Sequence, residues 1–222
     1  MKIALWGATG RLGRSIVDSF PHWQREAELT CYGRGSSAEA ASKADVIIEC
    51  SRDDGLSVLL DGLQGDAAIV IGSTNINPHN QKFLEQRALT HRVFAASNFS
   101  RSLALLEAFC TMVPQSFESV LIETHHEGKK DAPSGTAKTL ARALQHQGLI
   151  TSIRTHHDSI GEHEVRLYRD HESLEINHRI TSRSVFAQGA LDAAWFLVHN
   201  PHINRIVGMQ DLVKNELHTD TQ

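Results

Sequence analysis

The stretch KIALWGATGRLGRSIVDSF, residues 2–20, decides the fold: an apolar run from Ile3 to Trp6 leads into Gly7, Gly10 and Gly13, spaced GxxGxxG, and then into an amphipathic stretch ending at Phe20. That order is strand, tight turn, helix. Glycines at such a turn allow positive φ and let the backbone approach a pyrophosphate seated on the helix N-terminus. Alone, the spacing also fits a glycine-rich turn between packed elements, and its position decides. Short apolar runs follow at Leu29 to Tyr32, Val46 to Cys50, Ala67 to Gly72 and Val93 to Ala96, alternating with helical patterns. The expected class is α/β, a Rossmann-type doubly wound parallel sheet.

After Ser97 the pattern changes. A helix is expected over Ser102 to Val113, a strand over Val120 to Thr124, and a helix from Gly135 to about Gln147. Glu164 to Tyr168 and Ser173 to Thr181 alternate with period two, as in a sheet with one solvated face. These segments predict a smaller α+β domain with a mostly antiparallel or mixed sheet. Ala187 to Val198 is apolar and helical, and the tail around Arg205 to Leu217 is expected as a last short helix.

The chemistry is concentrated in ETHHEGKKDAPSGTA, Glu123 to Ala137. Ordinary surface loops are charged, but few join His125, His126, Lys129, Lys130 and Asp131 to a turn whose Ser134, Gly135 and Thr136 open a helix. Backbone amides at a helix start bind anions, and adjacent cations reinforce that attraction. The expected ligand is small, anionic and converted by proton transfer.

Composition sets the bounds. The 222 residues suffice for one large or two modest domains. A net charge of −4, from 22 basic and 26 acidic residues, gives no electrostatic footprint for nucleic acid. No apolar stretch approaches the roughly 20 residues that span a bilayer, and MKIALWG serves better as a first strand than as a signal peptide. Cys31, Cys50 and Cys110, odd in number and set in apolar contexts, are expected as reduced, buried thiols of a cytoplasmic protein. The 14 histidines raise the question of a metal, yet neither HExxH nor CxxC spacing occurs.

With both segments in view, the chain resembles the dihydrodipicolinate reductase family over nearly its whole length. GATGRLG at Gly7 to Gly13, IGST at Ile71 to Thr74, SNFS at Ser97 to Ser100, the Glu123 to Ala137 segment, GEH at Gly161 to His163 and LEINHRITSRSVFAQGA at Leu174 to Ala190 fall in the family's order. The resemblance implies reduction of 4-hydroxy-tetrahydrodipicolinate to tetrahydrodipicolinate, in the diaminopimelate and lysine pathway, by a metal-free mechanism. It also implies that residues 1–99 and 184–222 form the dinucleotide-binding domain and 100–183 a substrate-binding and catalytic domain, with hinges near Asn98 to Ser100 and Ser182 to Arg183.

The resemblance puts Gly7, Ala8, Thr9, Gly10, Arg11 and Leu12 at the cofactor phosphates, and Gly72, Ser73, Thr74, Ala96, Ser97, Asn98 and Phe99 near the nicotinamide. Cofactor choice is argued from the end of the second strand, where a carboxylate would hold the ribose hydroxyls of NAD. Cys31 to Ser36 contains none. Arg34, helped by Arg11, Ser36 and Ser37, suits a 2′-phosphate through charge-assisted hydrogen bonds. The alternative is that Arg34 is a solvated turn residue. NADPH is therefore expected in preference to NADH, with NADH as the second cofactor.

The implied substrate is a cyclic dicarboxylate carrying an imine, and the implied reaction delivers a hydride to C4 of the unsaturated ring and leaves an enamine needing a proton at C3. His125, with an unperturbed pKa of about 6.5, and Lys129, with one of about 10.4, are assigned jointly as the proton-donating pair, since sequence does not rank them. His126, Ser134, Gly135 and Thr136 are assigned to the substrate carboxylates. Lys130 is expected to be solvated, and Asp131 to orient Lys129 or cap the turn. His156 and His157 are expected in a surface loop, His163 and His178 as hydrogen-bonded structural groups, and Arg183 either at a substrate carboxylate or in an ion pair at the domain junction.

The family implies a homo-oligomer, a tetramer. Here the stretch between Gln147 and Gly161 lacks most of the arm that builds the intersubunit sheet, so a dimer is the alternative. Two rival functions are another NADPH-dependent reductase of imino or keto acids and a non-enzymatic NADPH sensor. The His pair and Lys129 count against both.

Overall fold

The computed structural model describes residues 1–145, 148–156 and 159–219. The chain divides into two compact units, Met1–Ser100 with Ser184–Gln222, and Arg101–Arg183.

The first unit is built on β1 (Lys2–Trp6), β2 (Glu28–Tyr32), β3 (Val46–Glu49), β4 (Ala68–Ile71), β5 (Val93–Ala95) and a short β10 (Ile206–Val207), in the order β10-β5-β4-β3-β1-β2. All the pairings are parallel. Every residue of β3 and β4 is buried, as expected for central strands covered on both faces. One face is covered by α2 (Ala38–Ala41), α3 (Asp53–Asp61) and α4 (Pro78–Arg87), which pack Ala38, Ala41, Leu56, Leu59 and Leu84 against Trp6, Ile47, Ile69 and Ile71. Also in this unit, α1 (Arg11–Ser19) packs on α7 (Ser184–His199), and α7 lies against β3, β4 and β5. The last helix, α8 (Met209–Thr219), follows β10. The expected terminal helix thus begins later than Arg205, because Ile206 and Val207 first add an edge strand beside Val93 and Phe94.

The second unit has a mixed sheet, β7-β6-β8-β9, formed by β6 (Glu118–His126), β7 (Ile150–Thr155), β8 (Gly161–Arg169) and β9 (Glu172–Ile180). The β6–β7 pairing is parallel and the other two are antiparallel. Alternation along β6 and β8 turns Leu121, Val165 and Leu167 inward, where they pack with Leu103, Leu106 and Cys110 of α5 (Arg101–Met112) and with Leu140 of α6 (Gly135–Ala143). At one end of this face the apolar pattern stops and Glu123, His125, His163 and His178 are buried instead. Cys31, expected to be buried, is exposed, because β2 is the edge strand of its sheet.

Candidate active site

Two groups of candidate residues stand out, one in each unit. In the first, the β1–α1 turn has Gly7 at φ +90°, where a Cβ would stand 2.7 Å from the Ser51 amide nitrogen. A Cβ on Gly13 would stand 2.3 Å from the Gly7 carbonyl oxygen. The turn therefore closes only with glycine at both places. Gly7 donates to the Tyr32 carbonyl at 3.0 Å, and Gly10 caps α1 with no side chain. The amides of the first turn of α1 consequently point outward uncapped, a cradle that a pyrophosphate fits.

The other residues predicted for the cofactor converge in part on that turn. Thr9 lies beside Gly33, and Leu12 and Phe99 lie against Gly72. Arg34 is exposed in the turn after β2, with Gly35 at φ +81° beside it. Ser73 is buried next to Glu49, whose carboxylate also accepts from the Ser51 amide at 2.7 Å. Burial raises the Glu49 carboxyl above the ordinary range, against hydrogen bonds from Ser51 that pull it down. Phe99 is fixed from behind: a Cβ on Gly189 of α7 would stand 1.9 Å from its carbonyl oxygen. Asn98 turns its side chain back to accept from the Ser100 amide at 2.8 Å.

In the second unit, strand alternation puts Glu123 and His125 on one face of β6 and His126 on the other. His163 stands opposite Glu123 in register, and His178 stands opposite His163. The result is a buried polar row across three strands. Glu123 Oε2 lies 3.0 Å from His125 Nδ1, and Glu123 Oε1 accepts from the Ser134 amide at 3.2 Å and from Arg154 Nη2 at 3.1 Å. The rings of His125 and His163 meet edge to face, with centroids 5.5 Å apart.

The segment between β6 and α6 follows from this anchor. Ser134 is buried, and its hydroxyl oxygen caps the helix by accepting from the Ala137 amide at 3.1 Å. The amides of Gly135 and Thr136, at the first two helical positions, have no intrahelical partner, and a Cβ on Gly135 would meet nothing within 4 Å. That open, donor-lined helix start suits a carboxylate. Lys129 Nζ pairs with Asp131 at 2.8 Å, and this bond holds the Asp131 carboxyl below its ordinary range.

Electrostatics bear on His125, one of the two candidate proton donors. Burial, the largest influence, pushes His125 below its ordinary value; Glu123 opposes this, while Lys129 and Arg154 add to it. Burial alone would raise Glu123, but hydrogen bonds from Ser134 and Arg154, with the charge of His125, leave it lowered. The pair at neutral pH is a carboxylate facing a neutral imidazole. Burial takes His163 down to about 4, and His178 is lowered by burial as well.

Sequence reasoning singled out His125, Lys129, Ser134, Gly135 and Thr136, and the fold brings them to one sheet end and helix start. His126 belongs to the opposite sheet face from His125. Reasoning from sequence missed Glu123 as the hub, and it missed Arg154 entirely. Spacing alone could have signalled Glu123, because residues i and i+2 of a strand share a face. His178 Nε2 is 3.1 Å from Ser102 Oγ, whereas neither ring nitrogen of His163 has a hydrogen-bond partner among the described residues, contrary to expectation. His156 is exposed and pairs with Glu127 at 2.8 Å; His157 lies outside the described residues. Arg183 is exposed.

Comparison with known proteins gives concordant results. Residues 102–213 match the family model described as dihydrodipicolinate reductase, C-terminus. A Campylobacter jejuni protein named 4-hydroxy-tetrahydrodipicolinate reductase is 31% identical, over 89% of this chain and 93% of its own. A Nitratiruptor protein of the same name is 30% identical over 89% and 94%. The dipicolinate-bound dihydrodipicolinate reductase from Paenisporosarcina superposes with a TM-score of 0.70, covering 94% of this chain and 97% of that one, at 19% identity. The fold is also shared with C. glutamicum DAP dehydrogenase, with a TM-score of 0.60 at 10% identity.

Proposed function

The chain belongs to the dihydrodipicolinate reductase family, and from that premise we propose that it carries out its reduction with NADPH preferred over NADH and Lys129 as the proton donor. The reaction is the family's: 4-hydroxy-tetrahydrodipicolinate is reduced to tetrahydrodipicolinate by an oxidoreductase that uses a nicotinamide cofactor, within diaminopimelate and lysine biosynthesis.

The unit Met1–Ser100 with Ser184–Gln222 holds the cofactor in this reading, and Arg101–Arg183 holds the substrate. The residues Gly7 to Leu12 fit a dinucleotide: the turn excludes every side chain at Gly7 and Gly13 and leaves the α1 amides free for phosphate. Arg34 takes the 2′-phosphate, and Gly72 to Thr74 with Ala96 to Phe99 take the nicotinamide end. When bound, the cofactor supplies the hydride that reaches the substrate ring.

This chain's residues then have three tasks. The amides of Gly135 and Thr136, with the Ser134 hydroxyl proton, hold substrate carboxylate; His126, on the other face of β6, takes no part in this group. Loss of water from C4 leaves the unsaturated ring that takes the hydride; the ammonium of Lys129 then stabilises negative charge developing on that ring and delivers the proton to C3, with Asp131 keeping the side chain in place. His125, neutral and buried with Nδ1 3.0 Å from Glu123 Oε2, offers a ring nitrogen to a substrate or lysine N–H. The observation that carries this division of labour is the burial of His125 beside Glu123, set against the more accessible Lys129 side chain.

The partner is thus a small dicarboxylate. Among the described residues no helix is long and apolar enough to cross a membrane. The test is absorbance at the nicotinamide band on mixing the purified chain, NADPH and substrate generated in the cuvette by the preceding synthase. Rapid oxidation is expected, faster than with NADH at equal concentration. Intact NADPH binding without oxidation would contradict the reading and favour a sensor.

A further inference from the structure

We propose that Arg154, on the edge strand β7, is a positioning residue for the reduction, fixing the Lys129 to Asp131 segment from beneath with Glu123 as its buried anchor; the proposal rests on the assignment of Lys129 above. One guanidinium makes four bonds: Nε to the Lys129 carbonyl at 3.2 Å, Nη2 to the Asp131 carbonyl at 2.6 Å and to Glu123 Oε1 at 3.1 Å, and Nη1 to the Ile153 carbonyl at 2.8 Å. Both carbonyls it takes from the segment flank Lys130. The backbone on either side of that residue is therefore tied to the sheet by a side chain from another strand.

The geometry suits arginine alone. A planar fork with five donors reaches four separate acceptors at once, whereas an ammonium on a flexible stem satisfies them one at a time. Glu123, wholly buried, also accepts from the Ser134 amide, and its other oxygen lies 3.0 Å from His125 Nδ1. One carboxylate thus joins the loop that carries Lys129, the helix start that receives carboxylate and the imidazole between them. Displacement of any of the three is felt by the other two.

A cation site competes for the same atoms. Ligand atoms of Glu123, His125 and His163 lie within 4.8 Å of one another, as a transition metal would require. Two observations count against it. The Glu123 carboxylate is already committed to a guanidinium, and both Arg154 and Lys129 bring positive charge to bear on His125. Those cations repel a divalent ion from the place where it would bind.

The experiment compares full-chain Arg154→Ala, Arg154→Lys and Lys129→Ala. For Arg154→Ala we expect turnover to fall by about 10²-fold, the effect of a misplacement of roughly 1 Å, with NADPH affinity unchanged. Guanidinium ion at a concentration too low to denature should restore part of that turnover, and should restore none to Lys129→Ala. Arg154→Lys should keep NADPH affinity and still lose most of kcat. Near wild-type kcat in folded Arg154→Ala, or a loss that guanidinium leaves untouched and NADPH binding shares, overturns the proposal in favour of a structural ion pair. If Arg154→Ala does not fold, Arg154→Lys decides: reduced kcat with native NADPH affinity supports positioning, and wild-type kcat refutes it. Full turnover in Lys129→Ala would instead remove the assignment of Lys129, and the positioning role with it.

Discussion

Glu123 Oε2 lies 3.0 Å from Nδ1 of His125, with both side chains buried and the second carboxylate oxygen bonded to Arg154 and to the Ser134 amide. Such a hub is costly to break. Truncation removes an acceptor from a guanidinium and a buried amide, and removing one partner of a buried pair typically costs about 3–5 kcal/mol. Glu123→Ala should lower the urea midpoint accordingly and abolish turnover. An unchanged midpoint would mean the carboxylate is not the anchor.

Gly13 faces the Gly7 carbonyl so closely that an added methyl has no room, its Cβ falling 2.3 Å from that oxygen and 2.7 Å from Ala8 Cα. Both neighbours are backbone and cannot swing aside. Gly13→Ala should therefore destabilise the protein by about 1–3 kcal/mol, the usual cost of overpacking, and weaken NADPH binding by distorting the turn. Thermal melting with and without NADPH checks both effects.

Arg34 distinguishes the two cofactors. Charge-assisted hydrogen bonds contribute about 1.5–3 kcal/mol, so Arg34→Ala should reduce kcat/KM for NADPH by tenfold or more while leaving that for NADH nearly unchanged. Equal losses with both cofactors would return Arg34 to an ordinary solvated turn residue.

His163 makes stability depend on pH. Burial lowers its pKa from 6.5 to about 4 in the folded state. Between these values the unfolded chain binds a proton that the folded chain refuses, so stability is fully present above pH ~6.5 and is lost as pH falls towards ~4. The slope is at most about 1.4 kcal/mol per pH unit for one such group. Urea midpoints measured from pH 7 to 4.5 should fall, and should fall less steeply in His163→Phe. An equal slope in that variant would show that other groups carry the dependence.

Much of this was legible in the sequence because it is local. The glycine spacing after Ile3 to Trp6 specified a strand, turn and helix, and the apolar runs Val46–Ile48 of β3 and Ala68–Ile71 of β4 specified buried parallel strands. The Ser134–Gly135–Thr136 turn specified a helix start. What stayed hidden depends on pairing across the sheet. The short strand Ile150–Thr155 alternates partly buried with exposed residues and has a polar composition, so it gave no strand signal, and Arg154 was hidden with it. Only register brings His163 opposite Glu123 and His178 opposite His163. The His125–His126 pair looked like one site in the sequence, yet period-two alternation sends the two rings to opposite faces of β6.

The most direct test of the central claim is the turnover of Lys129→Ala with NADPH and freshly generated 4-hydroxy-tetrahydrodipicolinate, measured beside its NADPH dissociation constant. The account predicts turnover reduced by about 10²-fold or more, as expected for loss of a positioned proton donor, with NADPH bound as tightly as by the wild type. Near-normal turnover would contradict it and return the proton to His125.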